Sequence, residues 1–138
     1  MVGRLMFLVD TNVWLELLLE QEKAEEVRRF FQNVEARFLA ITEFSLYSIG
    51  VILTRLKEDD VFEDFLSDTL EDSGVIKISL ETKDLRQALS VLRQFEMDFD
   101  DACQYFAAAK YGYTLVSFDS DFDRTQRGRK APAEVVQR

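Results

Sequence analysis

Apolar residues fall along this chain in short continuous runs separated by longer amphipathic stretches. Residues 5–9 form an unbroken apolar run that stops at Asp10. A run of that length without polar alternation predicts a strand buried on both faces, as in a parallel sheet. Similar short runs at 38–41, 75–78 and 113–117 predict three more strands. Between them the spacing changes to that of helices. Residues 13–19 place Val13, Leu17 and Leu18 on one face and Glu16 with Glu20 on the other, and 22–35 carry the stripe Val27, Phe30, Phe31 and Val34. Thr42 is placed to cap a helix running to about residue 57, with Phe44, Tyr47, Val51 and Leu56 among its apolar positions. Further helices are predicted over 60–72, closed by Gly74, over 81–95 with Leu85, Ala88, Leu89 and Leu92 along one side, and from 98–101 to Tyr111, stopped by Gly112. A fifth strand near the C-terminus is only weakly signalled. Strands alternating with helices predict an α/β fold, a three-layer sandwich around a mainly parallel central sheet.

Such sheets bind ligands outside the carboxyl ends of their strands. Asp10 directly follows the first strand, Glu43 the second, and Asp119 comes two residues after the fourth. Asp101 lies in the first turn of the helix feeding the fourth strand. All four acids can therefore face one edge of the sheet. Carboxylates packed within about 4–6 Å raise one another's pKa unless something neutralises them. A hard divalent cation does so, and Mg²⁺ or Mn²⁺ takes oxygen ligands of this kind. Two such ions roughly 3.5–4 Å apart can clamp both oxygens of an in-line phosphoryl displacement. Each acid also has a structural reading. Asp10 can form a turn or cap a helix, Glu43 can offset a helix dipole, Asp98 and Asp101 can be a cap and its partner, and Asp119, Asp121 and Asp123 can be a solvated loop.

Composition narrows the chemistry. The 138 residues suit one domain, 1–138, and a hydrophobic content of 47% suits a packed core. The absence of histidine removes Ser-His-Asp triads, histidine nucleases and the usual catalytic zinc sites. Cys103 is the single cysteine, so no internal disulfide or zinc finger is possible. No signal-peptide pattern opens the chain and no apolar run approaches the roughly 20 residues of a membrane span, so a cytoplasmic location without membrane contact is expected. The formal charge of −9 argues against broad nucleic-acid binding. Residues 124–138 are the exception, with Arg124, Arg127, Arg129, Lys130 and Arg138 against Glu134 alone. That segment reads either as a solvated tail or as an RNA-contacting arm.

Four segments together resemble the PIN-domain nucleases, and more narrowly the toxin subunits of VapBC toxin–antitoxin pairs. They are Leu8-Val9-Asp10-Thr11-Asn12-Val13, Ile41-Thr42-Glu43-Phe44-Ser45-Leu46, Asp101-Ala102 followed by Ala107, Ala108, Ala109 and Gly112, and Ser117-Phe118-Asp119-Ser120-Asp121-Phe122. The resemblance implies Mg²⁺ or Mn²⁺ held by Asp10, Glu43, Asp101 and Asp119, with Asp121 a supporting or occasional ligand. Thr11, Asn12 and Ser117 would orient ligands, water or phosphate. It further implies RNA hydrolysis to a 5′-phosphate and a 3′-hydroxyl, a homodimer, and a small antitoxin partner whose C-terminal segment enters the groove. Asp98 rivals Asp101 as the third acid, because Asp98, Asp100 and Asp101 crowd the third segment.

Two other functions are weighed against this one. In a haloacid-dehalogenase-like phosphohydrolase Asp10 would be a covalent nucleophile, but Asn12 stands where a second aspartate is usual and no convincing lysine motif precedes the last acids. In a catalytically weak relative the same fold would serve as a scaffold or RNA-binding module. Trp14, Tyr47, Tyr105 and Tyr111 sit on predicted helices and read as packing residues, Trp14 alternatively as part of a dimer interface.

Overall fold

A computed structural model describes residues 5–135. Four strands, β1 (Phe7–Val9), β2 (Leu39–Thr42), β3 (Ile76–Ile78) and β4 (Thr114–Val116), form one parallel sheet in the order β3-β2-β1-β4. The chain moves from β1 outward through β2 to β3, then returns to pair β4 on the other side of β1. The strand order thus reverses between β1 and β4, where parallel sheets open a crevice at their carboxyl ends.

Alternate residues of the strands feed two cores. Phe7, Val9, Leu39, Ile41 and Val116 face one layer, and Leu8, Ala40, Ile78 and Leu115 the other. Burial on both faces explains why β1 and β2 read as continuous apolar runs. On the first face lie α1 (Thr11–Leu18), α2 (Ala24–Asn33), α3 (Glu43–Arg55) and α4 (Asp59–Phe65), contributing Val13, Trp14, Val27, Phe30, Ile49, Leu53 and Phe65. Trp14 stacks on Phe31 with centroids 4.7 Å apart, meets Phe65 edge-on, and donates its indole N–H to the Val9 carbonyl at 3.2 Å. On the second face α5 (Thr82–Phe95) and α6 (Phe99–Tyr111) pack through the small residues Ala88, Ala102, Ala107 and Ala108. The Asp84 carboxylate is buried there. It accepts the Glu81 N–H and the Lys110 ammonium, each at 2.9 Å, and both hold its pKa below the ordinary carboxylate value.

The three-layer parallel architecture is the one expected, with differences at particular elements. The predicted helix over 60–72 is α4 continued as a π-helical turn, Leu66–Glu71. The weak C-terminal strand is a single parallel bridge, in which Lys130 donates its N–H to the Leu115 carbonyl at 2.8 Å and accepts the Ser117 N–H at 3.0 Å. A final short helix, α7, covers Pro132–Val135. Tyr105 packs inside as expected, but Tyr47 and Tyr111 do not, being 63% and 44% exposed. The buried face of α3 is Ser45, Leu46, Ile49 and Leu53, so Phe44, Tyr47, Val51 and Leu56 point outward. Likewise Leu85 and Leu89 of α5 are partly exposed while Asp84 and Ala88 are covered. Among the described residues no helix is long and apolar enough to cross a membrane.

Phe30 is fully buried and meets the Phe7 ring edge-on at 6.2 Å, tying α2 to the sheet. Phe30→Ala should destabilise the chain by about 3–5 kcal/mol, read as a lower urea midpoint with an unchanged slope.

Candidate active site

The site begins where β1 stops. Asp10 donates its backbone N–H to the Val116 carbonyl at 2.9 Å, continuing the β1–β4 ladder, and its carbonyl accepts the first bond of α1, from Val13. Its side chain caps α1 by accepting the Thr11 N–H at 2.8 Å. The carboxylate is only 5% exposed and takes two further bonds. Gln104 of α6 donates to Oδ1 at 2.9 Å, and the Ser117 hydroxyl donates to Oδ2 at 2.7 Å. Ser117 Oγ in turn accepts from Asn12 Nδ2 at 3.3 Å and from the Asp119 N–H at 3.0 Å, while Asn12 Oδ1 accepts the Phe118 N–H at 3.3 Å. The loop after β4 is thereby knitted to the start of α1.

Gln104 extends this network to β2. The Thr42 hydroxyl donates to its Oε1 at 2.8 Å, and its Nε2 also donates to Ser45 Oγ at 2.8 Å. Thr42 Oγ1 caps α3 by accepting the Ser45 N–H, and the Thr11 and Ser45 hydroxyls lie 2.7 Å apart. Among the described residues no buried side-chain polar atom lacks a partner. Gln104 and Ser45 were not among the residues picked out in the sequence. The available signal was spacing, since Gln104 lies one helical turn after Asp101 as a lone amide among Ala102, Cys103, Ala107 and Ala108.

Carboxylate oxygens of Asp101, Asp119 and Asp121 lie within 4.8 Å of one another. Asp119 starts the 3-10 turn Ser120–Arg124 and accepts the Asp121 N–H at 2.9 Å. Asp101 also meets Asp98 and Asp100 within the same limit, but Asp98 does not belong to the group around Asp119. Asp98 precedes α6 without making a side-chain cap bond. Glu43 opens α3, lies outside both groups, and has Oε2 3.9 Å from Lys77 Nζ.

Burial pushes the Asp10 carboxyl above its ordinary value, opposed by the bonds from Gln104, Ser117 and Thr11 and reinforced by the charge of Asp119. Asp101 is driven up to about 8, first by burial and then by the charges of Asp119, Asp100 and Asp10. Asp10 lies outside both groups of acids but is joined to Asp119 through Ser117, whose Oγ donates to Asp10 Oδ2 and accepts the Asp119 N–H. An all-oxygen donor set crowded enough to retain a proton suits a hard divalent cation, which can take the proton's place.

The sequence profile of the PIN domain matches residues 7–128. No curated protein sequence matches the chain. Several solved structures share the fold. One is a toxin–antitoxin complex from Klebsiella pneumoniae, with a TM-score of 0.73 and 16% identity over 92% of this chain and 98% of that one. Another is VapC20 of Mycobacterium tuberculosis, described as a sarcin-ricin-loop-cleaving toxin, with a TM-score of 0.73 and 19% identity over 85% and 92% of the two chains. A third is FitAcB from Neisseria gonorrhoeae, with a TM-score of 0.72 and 18% identity over 92% and 98%.

The raised pKa of Asp101 sets a pH dependence for the metal-free protein. Folded chains hold a proton on Asp101 that unfolded chains release above about pH 4. Stability is therefore lost as pH rises from there towards about 8. Asp101→Asn should remove that loss, melting above the parent at pH 8 and close to it near pH 4. Calorimetry across this range checks the sign, and a variant that melts below the parent at pH 8 contradicts it.

Proposed function

Because the chain belongs to the PIN-domain family, we propose that it is a Mg²⁺- or Mn²⁺-dependent endoribonuclease and the toxin of a toxin–antitoxin pair. The observation that carries this reading is the meeting of Asp101, Asp119 and Asp121 oxygens within 4.8 Å, beside buried Asp10, at the carboxyl edge of a parallel sheet. Asp10, Asp101 and Asp119 would hold the cation and Asp121 would support them. Glu43 would join from the β2 side once released from Lys77. A bound Mg²⁺ or Mn²⁺ supplies Lewis-acid stabilisation of charge at the scissile phosphate.

The chain's own groups prepare that site. Oδ1 of Asp10 already accepts from Thr11 and Gln104, which fills its lone pairs, whereas Oδ2 accepts from Ser117 alone. Asp10 therefore offers one oxygen to a ligand, in a fixed direction. Asn12 and Ser117 together hold Asp10 and the N–H of Asp119 in one frame. The substrate class and the antitoxin rest on the fold shared with a toxin that cleaves the sarcin-ricin loop and with a toxin–antitoxin complex. A homodimer in the cytoplasm completes the proposal. The family assignment speaks against the phosphohydrolase alternative, and on this reading Asp10 would be a ligand rather than a nucleophile.

Purified protein should cut end-labelled structured RNA with Mn²⁺, leave 5′-phosphates, and stop when EDTA is added. Asp10→Asn and Asp119→Asn should lower turnover beyond the roughly 10–100-fold typical of supporting residues, with the melting temperature of Asp119→Asn unchanged or higher. Cleavage by Asp10→Ala at the parent rate would identify a contaminant, remove the enzyme claim and leave an RNA-binding or scaffold role.

A further inference from the structure

Arg124, Arg127 and Arg129 of the basic C-terminal segment are built into the fold, while Arg138 lies outside the described residues. Arg127 donates to the Tyr113 carbonyl at 2.7 Å and to the Ala108 carbonyl at 3.4 Å, joining the end of α6 to β4. Arg124 reaches the Glu96 carbonyl at 3.4 Å. Arg129 is the one directed at the site. Its Nε and Nη2 form a fork on Asp123 at 3.1 and 3.2 Å, and its Nη1 donates to the Ser117 carbonyl at 3.0 Å. The side chain is only 18% exposed.

These contacts grip both ends of one arc. Ser117 and Asp123 bound it, and Asp119 and Asp121, two of the three clustered acids, lie between them. The next residue completes the grip, since Lys130 accepts the Ser117 N–H at 3.0 Å. Ser117 is thus held through its N–H, its carbonyl and, by way of Asp10, its hydroxyl. Repulsion among Asp101, Asp119 and Asp121 acts to spread the arc away from α6, and the hydrogen bond between the Asp101 and Asp119 carboxyls opposes it from one side only. A partly shielded guanidinium opposes it by hydrogen bonds at both ends of the arc. Only a planar fork makes all three bonds from one side chain, which a lysine ammonium at the same position cannot do.

We propose that Arg129 is a positioning residue that holds the 117–123 arc in cation-binding geometry, from behind and without touching RNA. The claim rests on the cation-site reading above. The test compares the parent with Arg129→Ala, Arg129→Lys and Asp123→Asn, using Mn²⁺ affinity by calorimetry, RNA binding without metal, and amide hydrogen exchange. Arg129→Ala should weaken Mn²⁺ by about 10–100-fold. Arg129→Lys should fall in between, and Asp123→Asn should add little once Arg129 is gone. In the metal-free protein, amides of 118–124 should exchange faster in Arg129→Ala while those of β1 and α6 keep their protection. Parent-like Mn²⁺ affinity in Arg129→Ala, even with a lower melting temperature, overturns the proposal. So does weakened RNA binding at unchanged Mn²⁺ affinity, which would make Arg129 an RNA contact. If the parent binds no Mn²⁺, the cation reading fails separately, and exchange over 118–124 decides for or against the brace. Should Arg129→Ala not fold, Arg129→Lys and Asp123→Asn carry the same comparison.

Discussion

Repulsion among Asp10, Asp101 and Asp119 sets the terms on which the carboxyl edge of this sheet is built. The three come from β1, α6 and the loop after β4, and the charge of Asp119 acts on both of the others. Their surroundings are partly dry, so each charge is expensive and each pair interaction is strong. Without compensation such an edge would open. The neighbouring residues are accordingly donors: a backbone N–H at Thr11, an amide at Gln104, a hydroxyl at Ser117 and a guanidinium at Arg129.

Topology explains why these groups meet at all. β1 lies between β2 and β4, so both of its neighbours end beside Asp10. The extended backbone of Asp10 lets its N–H stay in the β1–β4 ladder while its carboxylate turns to cap α1. Thr42 does the same at the end of β2 with a hydroxyl, which leaves an uncharged residue beside Gln104. One carboxylate and one hydroxyl at equivalent strand ends let a single amide bridge them, its oxygen towards the hydroxyl and its nitrogen towards the carboxylate. The reversed amide would set Oε1 against the Asp10 oxygens, so the network itself fixes the orientation.

The strands and the first and last acids were legible because their signals are local. A doubly buried strand has no polar position, and a carboxylate directly after one stands at the carboxyl edge, whatever its neighbours do. The faces of α3 were not legible. That helix is apolar on two sides, and only packing decides that Leu46, Ile49 and Leu53 turn inward while Tyr47 and Val51 turn out. Period alone could not separate the two stripes. Asp98 and Asp101 were equally ambiguous by composition. One helical turn separates them, and it brings Asp101 to Asp119 but not Asp98. Gln104 escaped notice, and Arg129 was read only as part of a basic tail or RNA-contacting arm, for a different reason. Their roles lie in partners 94 and 12 positions away, and a lone amide or a basic tail residue carries no mark of such a partner.

Burial is the first cause of the rise at both Asp10 and Asp101, but the groups that face their oxygens differ. Asp10 faces three donors. Ser117 Oγ already accepts from Asn12 and Asp119, so its own hydrogen is directed at Asp10 Oδ2. Thr11 and Gln104 fill Asp10 Oδ1, which leaves one free site on Oδ2 for a proton or a cation. Asp101 has no such ring of donors. Its neighbours are Asp119, Asp100 and Asp10, and its bond with Asp119 raises it further, as expected of a carboxyl donating to a carboxylate. Asp101 therefore keeps its proton through neutral pH, at the bond it makes with Asp119, while Asp10 is held in one orientation by its three donors. A divalent cation entering this edge has the Asp101 proton to displace, and it lies on the helix α6 side of the crevice, away from the strand that positions the rest.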